Sequence, residues 1–262
     1  MVQYLDQTDF PDKLKLIKQL QNCATYRRNG LNSGKIPNFC NLRYLCEACT
    51  DREAKEYATT YAHKIIELLF RFELCPLFMT LRPTSGSDLV QQLLHLNSYL
   101  TKIQQQRSNY FHHGKRFTEF CRFQYALVMI EVARAKDERL WRPHVHAIVL
   151  NPTSQALFNL PELASDWTRI SGLTISPHVE TTRPHDLIQA AIRSKQLTFR
   201  TRGVIVNHLM KLVKYSLKLS PEDQPPLCPA DLIAVRSAMY RRQRIREWPM
   251  SKIQRAIPAS KV

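Results

Sequence analysis

Two histidines one residue apart, His144 and His146, stand in a run that is otherwise apolar, Val145 and then Ala147-Ile148-Val149-Leu150. In a strand, side chains alternate between faces, so both imidazoles point to the same side, roughly 7 Å apart along the chain. Imidazoles converging in this way can share a metal ion. Upstream, Met129-Ile130-Glu131-Val132 carries a carboxylate among apolar residues, which is costly unless the group is paired or bound to a cation. If residues 134–142 are a hairpin connection, Glu131 lies beside His144 and becomes the third ligand. Two imidazoles and one carboxylate leave coordination positions open. That suits an ion that must also bind a substrate phosphate, not a closed structural site.

A second chemical group lies further along. Val204–Leu219 reads as a helix with Leu209, Leu212, Val213 and Leu217 on one face. Lys211, Lys214, Tyr215 and Lys218 fall on the other, at spacings of three, four and seven. Like charges packed in this way repel, and a DNA phosphate would relieve them. Positive charge beside a phenol also favours its ionised, nucleophilic form.

The seven cysteines are spread unevenly. Cys46 and Cys49 have the C-x-x-C spacing of two thiolates on one tetrahedral zinc ion, and Cys40 and Cys23 could complete a four-cysteine site. Arg27, Arg28, Lys35 and Arg43 would surround it. Cys75, Cys121 and Cys228 stand alone and read as packing thiols.

The elements that must position these groups follow from periodicity. Apolar positions Leu14, Ile17 and Leu20 predict a short first helix, and residues 53–72 a second. Leu77–Leu81 predicts a strand, 88–111 a long helix, Phe123–Val132 and His144–Leu150 two more strands, and 156–172 a helix around Trp167. Pro221–Pro229, with four prolines in nine residues, is a linker before a last helix, Ala230–Trp248. The two best strands are joined by a short connection. This favours an α+β fold, an antiparallel sheet with helices on one side, over a doubly wound parallel sheet. Three segments result: a zinc-binding element over 1–55, a core over 56–225, and a basic helix and tail over 226–262.

Composition narrows the function. A net charge of +16 and a pI near 9.7 point to a polyanionic partner, nucleic acid by default. The run Arg241, Arg242, Arg244, Arg246 and the pair Arg200 and Arg202 are candidate backbone contacts. Only six glycines are present, and neither common phosphate-cradling loop occurs, so NTP use and dinucleotide binding are not expected. No apolar run approaches the length of a membrane span, and no signal peptide is read, so a cytoplasmic location is expected.

Taken together and in order, these segments resemble the HUH endonuclease superfamily, and within it the rolling-circle replication initiators (Rep proteins) of small bacterial plasmids. Phe78-Met79-Thr80-Leu81 is similar to the family's first motif. Glu131-Val132 with Trp141-Arg142-Pro143-His144-Val145-His146-Ala147-Ile148-Val149 is similar to its metal motif, and Lys214-Tyr215-Ser216-Leu217-Lys218 to its nucleophile motif. Cys23, Phe39-Cys40 and Cys46-Glu47-Ala48-Cys49 are similar to the cysteine-rich stretch of these initiators.

The resemblance implies a central antiparallel sheet of about five strands, a ferredoxin-like palm with the histidine strand in the middle and the tyrosine on a helix beside it. It implies Mg²⁺ or Mn²⁺ on His144, His146 and Glu131, with Tyr215 attacking single-stranded or hairpin origin DNA to leave a 5′-phosphotyrosine. Lys218 would contact the phosphate or help position the tyrosine, and a host helicase and polymerase would act alongside; Lys211 and Lys214 are DNA contacts by the helix pattern itself. Some plasmid initiators carry a glutamate one turn before the tyrosine; Lys211 stands there in this chain, which leaves termination open. Alternatives are a transposase of the same superfamily and a non-catalytic zinc-dependent DNA-binding protein.

Overall fold

Long apolar, β-branched stretches need two-sided burial, and the middle of this chain supplies two of them. In the computed structural model, which describes residues 2–3, 12–23, 25–28, 35–42, 45–134, 140–153, 158–182, 185–217, 227–239 and 243–249, they become strands β4 (Tyr125–Arg134) and β5 (Trp141–Pro152). Their antiparallel register sets Glu131 opposite His144 and Met129 opposite His146. Strand β3 (Leu74–Leu81) pairs with the other side of β5, with Thr80 opposite His146. Two short strands close the edges: β6 (His178–Thr181) on β3 and β7 (Ile245–Trp248) on β4. The five-stranded order is β6-β3-β5-β4-β7, so the histidine strand is the central one. The fold is α+β, as expected.

Helices cover both faces of this sheet, not one. Leu77, Met79 and Leu81 of β3, Val128 and Ile130 of β4, and Val145 and Val149 of β5 face α3 (Leu89–His113) and α4 (Leu160–Ser171). The alternate residues, among them Tyr125, Leu127, Met129, Ile148 and Leu150, face α2 (Glu47–Arg71), α5 (His185–Ser194) and α6 (Phe199–Ser216). The physical reason is visible in Ala126–Ile130 and Ala147–Leu150. These strands do not alternate apolar with polar, so neither face can be left to water.

Helix α2 begins earlier than periodicity suggested. Cys46 is its N-cap residue and Cys49 lies in its first turn. Its buried stripe runs Ala54, Ala58, Ala62, Ile65, Ile66 and Leu69, while Tyr57, Tyr61 and Leu68 are only partly buried. Small side chains let α2 approach α6 closely.

The helix expected over Ala230–Trp248 is the clearest local departure. It ends as α7 (Pro229–Met239), and Ile245–Trp248 is strand β7. The open edge of β4 overrides helical propensity here. Pairing with Ala126–Met129 satisfies backbone groups that would otherwise be exposed. Glu247 of β7 accepts hydrogen bonds from Tyr125 Oη, at 3.1 Å, and from Lys64 of α2, which pins the strand in place.

Near the N-terminus, α1 (Lys13–Gln21) and the hairpin of β1 (Thr25–Arg28) and β2 (Lys35–Asn38) precede α2. Leu16 of α1 packs with Leu42 and Leu45 in a small core of its own. Among the described residues, no helix is long and apolar enough to cross a membrane.

Candidate functional site

His144, His146 and Glu131 meet on the face of the sheet that α6 covers. Each offers one ligand atom, and these atoms lie within 4.8 Å of one another. Glu131 Oε2 is 2.7 Å from His146 Nε2 and 3.2 Å from His144 Nε2. Although Glu131 is opposite His144 in register, its carboxylate leans closer to His146. Glu131 is fully buried, and its second oxygen, Oε1, has no hydrogen-bond partner among the described residues. A buried carboxylate oxygen without a donor is expensive.

The other ring nitrogens are also engaged. His144 Nδ1 donates to the Arg142 carbonyl at 3.2 Å, and His146 Nδ1 lies 3.2 Å from Thr80 Oγ1. These contacts orient both Nε2 atoms toward Glu131, as ligand histidines require. Phe78 stacks on His146, with ring centroids 5.2 Å apart.

Electrostatics favour the same assignment. Burial by itself would raise the Glu131 carboxyl, but hydrogen bonds and charge from His144 and His146 outweigh it and hold the group down to about 2. Burial pushes His146 below the usual imidazole range, against the pull of Glu131. An ionised carboxylate beside a neutral imidazole is a donor set ready for a cation. The spacing also fits, because adjacent ligands on an octahedral ion with bonds of about 2.0–2.1 Å lie about 3 Å apart.

Tyr215 lies at the end of α6, with its ring centroid 5.8 Å from that of His146, and is 43% exposed. Tyrosine and imidazole share an open cleft of about 740 Å³ with Thr80, Arg82, His178, Glu180 and His208. Lys211 is exposed, and Lys214 is 3.8 Å from Asp51 of α2, so one of the ammonium groups near Tyr215 has a carboxylate partner. Lys218, Arg241 and Arg242 lie outside the described residues. Arg200 and Arg202 are exposed on the first turn of α6, about 20 Å from Tyr215 by helical rise, so neither shares its cleft. Arg244 is drawn into the fold, where its Nε donates to the Ile130 carbonyl at 3.2 Å.

Arg82, His178, Glu180 and His208 line the cleft without any sequence pattern above marking them as site residues, and Thr80 enters that pattern only as part of a strand motif. His208 was within reach, since it stands seven residues before Tyr215 and hence two turns away on the same helix face. The edge strand carrying His178 and Glu180 has no apolar alternation to announce it.

The four cysteines also converge. Cys23 Sγ is 3.3 Å from Cys46 Sγ and 3.5 Å from Cys49 Sγ, and Cys40 Sγ is 3.4 Å from Cys49 Sγ. On a tetrahedral ion with metal–sulfur bonds of about 2.3 Å, sulfurs sit about 3.8 Å apart, so this cluster can also hold a metal ion. Burial opposes ionisation of Cys23, yet a backbone contact at Cys40 and the neighbouring thiols outweigh it and bring it to about 7, while burial pushes Cys46 up to about 11. Four thiols this close cannot all ionise without a cation among them. The side chains of Arg27, Arg28, Lys35 and Arg43 lie outside the described residues.

No protein-family model, curated protein or solved structure matches the chain.

Proposed function

We propose that the chain initiates plasmid rolling-circle replication by nicking and rejoining single-stranded or hairpin origin DNA through Tyr215. The observation that carries this reading is the half-exposed Tyr215 ring lying 5.8 Å from His146 across an open cleft. A tyrosine opposite a metal-competent trio is the arrangement that phosphoryl transfer to a phenol oxygen needs.

His144, His146 and Glu131 would hold Mg²⁺ or Mn²⁺, and Cys23, Cys40, Cys46 and Cys49 would hold Zn²⁺ as a structural ion. The catalytic cation, when bound, supplies charge stabilisation at the scissile phosphate. The chain does the rest. Thr80 and the Arg142 carbonyl keep both imidazoles aimed at Glu131. Arg82, at the cleft wall, offers a guanidinium to a phosphate oxygen. The Tyr215 oxygen attacks phosphorus and gives up its proton. The bond from phosphorus to the 3′-oxygen breaks, and that oxygen takes up a proton to become a free 3′-OH. The phosphate stays on Tyr215 as a 5′-phosphotyrosine. Attack by a 3′-OH on this ester reverses the step and rejoins the strand. With no nucleotide-cradling loop in the sequence, strand opening falls to a host helicase and extension of the 3′-OH to a host polymerase.

The test is a denaturing gel of labelled single-stranded oligonucleotides, tiling the DNA around the chain's own gene, incubated with the protein and Mn²⁺. A covalent adduct that disappears in Tyr215→Phe is expected. An adduct that persists in that variant removes Tyr215 as nucleophile. No cleavage of any oligonucleotide leaves a DNA-binding protein in place of an enzyme.

A further inference from the structure

Beside the cysteine cluster lies a second cleft, of about 400 Å³, between α1 and the turn that follows β2. That is the small end of ligand-sized clefts. Lys15, Lys18 and Gln19 line one wall, on the same face of α1 at spacings of three and four. Both lysines are exposed, and among the described residues no carboxylate pairs with either. Among the described residues, no acidic side chain lines the cleft.

The opposite wall is Phe39, Cys40 and Asn41. It is braced from behind by Arg52 of α2. The Arg52 guanidinium lies over the Phe39 ring, 4.3 Å from its centroid, and Nη2 donates to Asn41 Oδ1 at 2.7 Å. Asn41 adopts a left-handed φ of 55°, which turns the chain immediately after Cys40. One wall thus presents two ammonium groups and a carboxamide. The other presents a half-buried aromatic ring held in place by a cation and by a cysteine of the cluster.

We infer that this cleft binds one unpaired nucleotide of single-stranded DNA, with its base against Phe39 and its flanking phosphates on Lys15 and Lys18. The inference rests on the reading of the chain as a single-stranded DNA enzyme and adds a contact remote from Tyr215. Stacking on an aromatic face requires a base that is not already stacked in a duplex. Two ammonium groups on one helix face repel until an anion lies between them. Cys40 ties the cleft to the cysteine cluster, so metal loading there holds the 39–41 turn in its binding shape.

The experiment is fluorescence anisotropy of the full, Zn²⁺-loaded chain with a labelled oligo(dT) and with a duplex of equal length, across a salt series. Lys15→Gln/Lys18→Gln is expected to lower the slope of log K against log[salt] for oligo(dT) by about 1.4, two phosphates at about 0.7 each. Phe39→Leu is expected to weaken oligo(dT) binding about 10-fold with an unchanged slope, and Phe39→Trp to restore it. Variants that bind oligo(dT) with wild-type affinity and slope overturn the inference, as do variants that lose duplex and single strand equally. Because both lysines are on the surface, their variant decides even if Phe39→Leu does not fold. The Mn²⁺-dependent Tyr215 adduct, measured in parallel, separates the two readings. A wild-type chain that forms it while both variants bind normally overturns the cleft alone; a wild-type chain that neither binds oligo(dT) nor forms the adduct overturns both.

Discussion

Thr80 Oγ1 lies 3.2 Å from His146 Nδ1, joining the first strand motif of the chain to the histidine strand beside it. The hydroxyl selects which imidazole nitrogen is left to face Glu131. Thr80→Val keeps the shape and the strand preference but removes the hydrogen bond. On the proposed Mn²⁺ site, it should weaken binding about 10- to 100-fold, the usual cost of losing an outer partner of a ligand histidine. Titration of Mn²⁺ by calorimetry or electron paramagnetic resonance measures this without reference to activity. Unchanged affinity would show that the contact does not orient the ring.

Tyr215 is half-exposed, and so is Asp51, whose ion pairs with Lys55 at 2.7 Å and Lys214 at 3.8 Å lie on the surface. Neither Tyr215→Phe nor Asp51→Ala should therefore change stability by more than about 0.5–1 kcal/mol. Thermal melts of both variants should overlay on the parent within a few degrees. The loss of adduct expected in Tyr215→Phe then reports chemistry, not unfolding.

The cysteine cluster has a different signature. Cys49 is buried in the first turn of α2, with its sulfur within 3.5 Å of those of Cys23 and Cys40. Cys49→Ser should remove one tightly bound metal ion per chain, measured by elemental analysis. It should also lower the melting point by on the order of 10 °C, since metal binding free energy contributes to folding. A variant that keeps both the metal and its melting temperature would break the four-cysteine assignment.

Arg107 is a buried cation with a structural task. It donates to the Phe120 and Phe123 carbonyls at 2.6 and 2.7 Å and lies over the Phe123 ring. Burial lowers its pKa to about 10, still charged at neutral pH. Arg107→Met fills similar space but strands two buried carbonyls, and should cost about 2–4 kcal/mol in a denaturant titration. A loss below about 1 kcal/mol would mean that water takes the place of the guanidinium.

Alkaline pH should find a weak point at Tyr125. Burial first, and the nearby Glu247 second, push its phenol well above the usual tyrosine range. The neutral form is thus favoured in the folded state. Its contribution is fully present below the unfolded tyrosine pKa of about 10 and declines as pH rises above it, because the unfolded chain releases the proton first. Melting temperature should fall more steeply between about pH 9.5 and 11 in the parent than in Tyr125→Phe. Parallel curves would count against this.

The local chemistry is legible in the sequence. A strand period of two requires His144 and His146 to share a face, and a helical period groups Tyr215 with Lys211 and Lys214. The C-x-x-C spacing brings Cys46 and Cys49 together. These are consequences of short-range backbone sterics, which any window of a dozen residues carries. What tertiary structure decided involves partners far apart in the chain. Residue 80 meets the ring nitrogen of residue 146 that points away from Glu131, and docking of α6 brings Tyr215 to within ring contact of His146. Cys23 reaches across the β1–β2 hairpin to Cys46. Ile245–Trp248, helical by local preference, becomes a strand because the edge of β4 lacked a partner. Such choices are made by burial and backbone hydrogen bonding summed over the whole sheet, and no local pattern encodes which distant edge or face will provide them.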